Sequence, residues 1–317
     1  MRTRAVVLHE PLRLSLEDVA LDPPGAEDVV VDIAHSGIST GTERLLYTGR
    51  MPMFPGMGYP LVPGYESVGR VVEAGPHSGL SIGQSVFVPG ARCYGPIRGL
   101  FGGSAARIVS PGARLAALPA AFDASPERLE EASLLALAAT AHHAVVMPGA
   151  TPDLVVGHGV LGRLVARICA ARGAPPTVWE IAPERATGAV GYEVTAPDRD
   201  ARRDYRAIVD VSGAPDLLDT LIGRLAPGGE IVLAGFYSEA LSFAFPPAFM
   251  REAVIRVAAQ WQRADLDAVV DLVATGALSL QGLITHREPA ERAASAYARA
   301  FEDPACLKMV LDWRQTP

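Results

Sequence analysis

The stretch DLVVGHGVLGRLVARICAARGAPPTVWE, from Asp153 to Glu180, narrows what this chain can fold into more than any other part of it. An apolar β-branched run enters a glycine turn, a helix-forming run leaves it, and a second apolar run ends in an acid. Gly157, Gly159 and Gly162 spell G-x-G-x-x-G, which in a chain with 31 glycines says little by itself. Set between strand and helix, with an acid closing the next strand, it becomes a dinucleotide-binding fingerprint. Gly157 permits the tight turn, Gly159 lets backbone N–H groups approach a pyrophosphate, and Gly162 lets helix and strand close together. The helix N-terminus attracts the phosphates. Glu180 is expected to accept hydrogen bonds from both adenosine ribose hydroxyls and to repel a 2′-phosphate, so the expected cofactor is NAD rather than NADP. His158, Val160 and Leu161 are grouped with this cofactor loop. As side chains, His158 and Arg163 read as a solvent-facing loop residue and an exposed helix residue rather than phosphate ligands.

The rest of the chain falls into two textures. Up to residue 124, RAVVLH, LRLSLED, DVVVDIAHSGIS, ESVGRVVEAG and QSVFVP are β-type runs bounded by Gly and Pro, a pattern of mostly antiparallel sheet. From Ser125, a plausible N-cap with Pro126 at the first helical position, SPERLEEASLLALAATAHHAV predicts a helix. Strands then alternate with helices: TVWE, AIVDVSG and EIVLAGF are strands, and PDLLDTLIGRLAPGG predicts a helix between two of them. That rhythm means a doubly wound parallel sheet over 125–276, an α/β domain. The tail 277–317, with the amphipathic PAERAASAYARAFED and the strand-like CLKMVLDW, is too small to fold alone and is expected to complete the first domain.

A formal net charge of -7 and the lack of basic clusters argue against a nucleic-acid partner. No window reaches about 18 apolar residues, so no integral membrane segment is expected. The N-terminus lacks a signal core. Cys93, Cys169 and Cys306 are isolated and fit a reducing cytoplasm.

In this order of parts the chain resembles the medium-chain dehydrogenase/reductase superfamily, through PLVPGYESVGRVVEAG, the TAHHAV helix, the glycine motif and VDVSGAPDLLDTLIGRLAPGGEIVLAGF. The resemblance implies a GroES-like β-rich catalytic domain, 1–124 with 277–317, and a Rossmann cofactor domain, 125–276. It adds Ser212 and Gly235 to the cofactor site and implies a homodimer joined through the cofactor sheet, at EIVLAGF to VIRVAAQ. Zinc-dependent members supply Cys, His and Cys or Glu at three positions that here read Ser39, Tyr65 and Ala136, so no metal is expected. Zinc as a Lewis acid supplies several kcal/mol. One positioned donor supplies about 3 to 4 kcal/mol in comparable roles. Tyr65 and Ser39 are the first candidates for that duty, with Thr40, Thr42 and Glu66 as a proton relay. His35, His142 and His143 are further candidates for the base, although a His pair on a helix in an Ala-rich run is more often packed or cap-bonded than catalytic.

HSGISTGTERLLYTGRMPMFPGMGYPLVPGYESVGRV together with VGHGVLGRLVAR is similar to the bacteriochlorophyllide a dehydrogenases, which oxidise a 3-(1-hydroxyethyl) group on a tetrapyrrole to 3-acetyl with NAD. The resemblance implies a wide apolar pocket for the macrocycle, with Met51, Met53, Phe54, Met57 and Tyr59 as one wall and Tyr94 and Phe101 as another. Arg44, Arg50, Arg92 and Arg98 are available for the ring's propionate. Two other readings stand beside this one: a zinc-free quinone or enone reductase, and a pigment-binding protein without turnover. The Met-rich stretch also suits a loop stiffened by proline and packed on its own domain.

Overall fold

A computed structural model describes every residue except Ser238 and Pro317. The chain divides into two compact units, Met1–Ala136 with Gln281–Pro317, and Leu137–Leu280.

The first unit opens with β1 (Arg2–Glu10) and β2 (Arg13–Ala20), an antiparallel hairpin, then β3 (Asp28–Ile38) and the short α1 (Thr42–Thr48). There follow β4 (Leu61–Val62), β5 (Ser67–Ala74), β6 (Ser85–Val88), β7 (Arg98–Gly99), β8 (Arg107–Pro111), β9 (Ala116–Ala117) and α2 (Pro126–Glu131). Ser125 caps α2, its hydroxyl accepting the Arg128 N–H at 3.3 Å. The single helix expected from Ser125 is broken: a 3₁₀ turn at Ala132–Leu134 separates α2 from α3 (Leu135–Val146).

The second unit carries β10 (Leu154–Val156), α4 (Val160–Ala171), β11 (Thr177–Trp179), β12 (Glu193–Thr195), β13 (Tyr205–Asp210), α5 (Leu218–Ile222), β14 (Leu225–Leu233), α6 (Phe245–Met250), β15 (Val254–Val257) and α7 (Arg263–Ala274). Its six strands are all parallel, in the order β12-β11-β10-β13-β14-β15. Counted from β10 this is 3-2-1-4-5-6, the Rossmann order, which reverses direction between β10 and β13. Leu154, Val156, Ile208 and Ile231 fill the core on one face with Leu218, Leu221 and Ile222 of α5. The helix expected over 215–229 is shorter than its pattern. It stops at Ile222 with Gly223 as its C-cap, and residues from Leu225 join β14 instead, Leu225 pairing with Tyr205.

The chain then returns to the first unit with β16 (His286–Pro289), α8 (Ala293–Glu302) and β17 (Met309–Asp312). β17 pairs antiparallel with β3, completing a sheet ordered β16-β17-β3-β5-β6-β9 with β8 also on β3; β2-β1-β4-β7 form a smaller sheet. Val30, Val86, Ile108 and Leu311 share one core with Ala296, Tyr297 and Ala300 of α8. The first boundary falls later than residue 124 because α2 packs with this unit. The Glu130 carboxylate takes both Nε and Nη2 of Arg287 from the returning segment, each at 2.7 Å.

Candidate active site

In the second unit the glycine turn has the geometry its spacing demands. Gly157 sits at φ 100°, and a Cβ on Gly162 would overlap the Gly157 carbonyl oxygen, so neither position tolerates a side chain. Gly159, the N-cap of α4, differs: a Cβ there would meet nothing within 4 Å. Its lack of a side chain therefore serves the open space over the helix N-terminus. The first N–H groups of α4, from Val160 and Leu161, lack intrahelical acceptors and carry the positive end of the helix dipole. An anionic pyrophosphate fits this cradle.

Glu180 follows β11 directly and its carboxylate is already engaged. Oε1 accepts the N–H groups of Ile181 at 2.7 Å and Ala182 at 2.8 Å, and Oε2 accepts the His158 N–H at 3.0 Å. A carboxylate has about four acceptor sites, leaving about one for a ribose hydroxyl rather than the two expected. Ser212, beyond the end of β13, donates its hydroxyl to Asp210 at 2.6 Å, and the Gly235 N–H donates to the Asp210 carbonyl at 3.0 Å. Both stand at the carboxyl ends of strands, where this fold binds ligands.

Two expectations are corrected here. His158 is fully buried, its Nδ1 2.6 Å from the Arg185 carbonyl and its Nε2 2.7 Å from the Tyr192 hydroxyl. Burial pushes its pKa down and keeps it neutral, so its ring is a fastening rather than a cofactor contact. Arg163 is buried too, donating to the carbonyls of His158, Arg185, Thr187 and Gly188 at 2.8–3.3 Å. It pins the loop after β11.

The first unit holds a buried polar cluster. Tyr65, half-buried between β4 and β5, donates its hydroxyl to Ser39 Oγ at 2.7 Å, and the Thr42 hydroxyl also acts on it. Burial raises the phenol pKa strongly, so Tyr65 is a proton-bearing donor at neutral pH. The Ser39 N–H donates to Glu43 Oε1 at 3.1 Å, the Tyr297 hydroxyl donates to Glu43 Oε2 at 2.6 Å, and Ser104 Oγ lies 3.3 Å from that phenol oxygen. Glu66 is not part of this chain. Its carboxylate is fully buried against the Lys308 ammonium, while burial pushes its pKa up, so the expected relay role gives way to an ion pair. Thr40 is exposed, and among the described residues no hydrogen bond joins it to the cluster. His142 and His143 both turn Nδ1 to Asp265, at 2.8 and 3.0 Å, and are fasteners between α3 and α7. His35 is buried, and desolvation keeps it neutral.

Sequence reasoning missed Glu43, Tyr297, Ser104 and Lys308. Glu43 stood one residue beyond the Ser39–Thr42 segment and was legible as an acid in the first turn of α1. Tyr297 and Lys308 arrive from the far end of the chain, with no local signal.

The expected macrocycle wall divides. Met51 is buried with Leu8, Leu46 and Leu61, Met57 and Tyr59 pack on the same cluster, and the Tyr59 hydroxyl donates to the Leu46 carbonyl at 2.5 Å. Tyr94 is corrected: it is 1% exposed and its hydroxyl is spent on the Gly102 carbonyl, so it belongs to the core. Met53 is 81% exposed, Phe54 and Phe101 are each 38% exposed, and Phe101 stacks edge-on with Tyr65, 5.5 Å between ring centroids. Arg44, Arg50, Arg92 and Arg98 are exposed, and Arg98 donates to the Tyr59 carbonyl at 3.3 Å.

The hydroxyls of Ser39 and Tyr65 and the methyl of Ala136 do not fit zinc, which takes thiolate, imidazole or carboxylate. Among the described residues no group of three or more His, Cys, Asp or Glu is placed to hold a metal ion. Among them, too, no helix is long and apolar enough to cross a membrane.

Comparison with known proteins gives this geometry a context. Residues 25–120 match the alcohol dehydrogenase GroES-like domain. The chain is 58% identical over 317 residues to 2-desacetyl-2-hydroxyethyl bacteriochlorophyllide A dehydrogenase of Rhodobacter capsulatus, covering 99% of each chain. It is 57% identical to the enzyme of the same name from Cereibacter sphaeroides, covering 100% of each. Among solved structures, 2R,3R-butanediol dehydrogenase from Bacillus subtilis superposes with a TM-score of 0.83 at 20% identity, over 98% of this chain and 99% of that one, a likeness of fold. Full-length identity at this level, on a GroES-like domain and a Rossmann sheet, shows that the chain belongs to the 2-desacetyl-2-hydroxyethyl bacteriochlorophyllide A dehydrogenase family of the medium-chain dehydrogenase/reductase superfamily.

Proposed function

We propose that this protein is an alcohol dehydrogenase that oxidises the 1-hydroxyethyl side chain of a (bacterio)chlorophyllide to an acetyl group, without zinc and with NAD as hydride acceptor. The observation that carries the substrate class is identity of 57–58% along the full length of two relatives named for that substrate. Bound NAD supplies the electrophilic nicotinamide ring that accepts the hydride. The turn from Gly157 to Gly162 holds its pyrophosphate, with Ser212 and Gly235 beside it. Glu180 meets a ribose hydroxyl and opposes a 2′-phosphate.

Tyr65 and Ser39 take the place of the metal. Tyr65 donates to Ser39 Oγ, which leaves the Ser39 proton free to donate onward. Successive donors polarise one another in a low-dielectric site, so this pair can steady negative charge on the substrate oxygen as its hydroxyl proton passes to water and the hydride from its carbon passes to NAD. The carbinol carbon adjoins an extended π system, which spreads the positive charge that develops as hydride leaves and lowers the demand on these donors.

The ring supplies binding energy far from the reacting carbon, and that energy can orient the C–H bond. Met53, Phe54 and Phe101 offer exposed apolar surface for it, and Arg44, Arg50, Arg92 or Arg98 a cation for its propionate. Three separate buried cysteines suit a cytoplasmic enzyme. A homodimer through the edge strand β15 would cover Val254 and Val257, 37% and 72% exposed. Val257→Lys should then yield monomer in size-exclusion chromatography, and an unchanged elution would remove that interface.

Substrate deuterated at the carbinol carbon tests the reaction. Deuterium should appear in the reduced NAD, one atom for each acetyl product formed. Acetyl product with no label in the dinucleotide would refute direct hydride transfer.

A further inference from the structure

The first unit buries two carboxyls in one neighbourhood, and they are treated differently. Glu66 has Lys308 as a counter-ion. Glu43 is 1% exposed, and among the described residues no Lys, Arg or His forms an ion pair with it. Burying a carboxyl without a cation costs several kcal/mol, which an apolar side chain at that place would avoid. Its placement therefore calls for a use.

The hydrogen bonds indicate what the use is. An ionised carboxylate only accepts, and both of the donors that reach Glu43 belong to the cluster around Tyr65. Oε1 takes the Ser39 N–H and Oε2 takes the Tyr297 hydroxyl. Holding the Ser39 amide fixes the backbone from which Ser39 Oγ meets Tyr65. A protonated Glu43 must donate through one oxygen, which displaces the Tyr297 proton toward Ser104 Oγ, 3.3 Å away. The cluster thus has two hydrogen-bonded arrangements built on the same heavy-atom contacts, one for the carboxylate and one for the acid.

We propose that Glu43 is a positioning residue of the alcohol-oxidising site, anchoring the Ser39 amide so that the Ser39 hydroxyl stays in register with Tyr65. The proposal rests on the reading that Tyr65 and Ser39 steady the substrate oxygen. The groups facing Glu43 are Tyr297 from α8, Ser39 from the end of β3, Tyr65 and Glu66 from the turn before β5, and Lys308 from the approach to β17. Burial first, and the Glu66 charge after it, push its carboxyl up to about 7, while Tyr297, Ser39 and Lys308 oppose that rise. Its ionisation lies where a pH profile can read it.

The test compares wild type, Glu43→Gln and Tyr297→Phe by kcat and KM against pH, NADH fluorescence titration, and infrared titration of the protonated-carboxyl band. Glu43→Gln should lower kcat roughly a hundredfold, the scale of a small misplacement, leave the NADH Kd unchanged, and erase a kcat ionisation near pH 7. Tyr297→Phe removes a donor to the carboxylate, so the same ionisation should move to higher pH. A Glu43→Gln enzyme with unchanged kcat and pH profile would overturn the proposal. If that variant fails to fold, an unmoved ionisation in Tyr297→Phe overturns it instead. If wild type does not oxidise the hydroxyethyl substrate, the alcohol-site reading fails separately. The infrared titration still decides on Glu43: absence of a band that vanishes near pH 7 in wild type and is missing from Glu43→Gln overturns the proposal.

Discussion

The hydroxyls of Tyr65 and Ser39 meet at 2.7 Å although the residues stand 26 positions apart in the chain. The antiparallel register of β3 and β5, with Ser36 opposite Ser67, delivers one residue just past the end of β3 and the other just before β5. Pairing of the sheet therefore builds the donor pair before any ligand arrives.

Removing the phenol oxygen is the direct probe of that pair. Tyr65→Phe keeps the ring against Phe101 and deletes only the donor, so kcat should fall about 10²- to 10³-fold, the range for one oxyanion donor. KM should change little. Steady-state kinetics check this, and a raised KM at unchanged kcat would make Tyr65 a binding residue alone.

Glu180 should set the choice of dinucleotide. Glu180→Ser removes the charge that opposes a 2′-phosphate and frees the N–H groups of His158, Ile181 and Ala182. NADH binding should weaken and the preference over NADPH should narrow. Fluorescence titration with both dinucleotides measures it, and an unaltered ratio contradicts the role given to Glu180.

Two duties of the glycine turn separate by substitution. Gly162→Ala forces a methyl against the Gly157 carbonyl and should cost about 1–3 kcal/mol, seen as a lower Tm, together with loss of NADH binding. Gly159→Ala meets no protein atom within 4 Å, so stability should stay within about 0.5 kcal/mol while NADH affinity drops. Equal Tm losses in the two variants would contradict this division.

Glu43 also makes a prediction for stability. Its folded-state value of about 7 exceeds the ordinary 4.5, so between those values the folded protein keeps a proton that the unfolded chain has released. Stability falls as pH rises through that window, and the full penalty persists above it. Denaturant melts should show Glu43→Gln gaining on wild type from about pH 5 to about pH 8. A gap that is constant with pH contradicts a raised Glu43.

Much of this fold was legible because periodicity and punctuation agree. The glycine turn, the parallel strands and the Ser125 cap are local features, and each carries its own chemistry in neighbouring residues. The macrocycle wall was read less well. Met51, Tyr59 and Tyr94 have the residue types of a ligand pocket, but composition cannot say whether a Tyr hydroxyl is spent on a carbonyl, as both of these are. The inner shell of the site was hidden for another reason. Tyr297 and Lys308 reach Glu43 and Glu66 over 254 and 242 positions, through a tail whose only local signals are an amphipathic helix and a short strand. Polarity suggests exposure for His158 and Arg163, and the carbonyls that let them be buried come from a loop with no pattern of its own.

The most direct measurement is an absorbance assay of purified protein, shown by elemental analysis to carry no stoichiometric zinc, with NAD and 3-hydroxyethyl substrates of chlorin and bacteriochlorin type. The expected result is growth of the red-shifted band of the 3-acetyl product at the rate NADH appears. Spectra that stay unchanged, or turnover only when zinc is restored, would contradict a zinc-free alcohol oxidation at Tyr65 and Ser39.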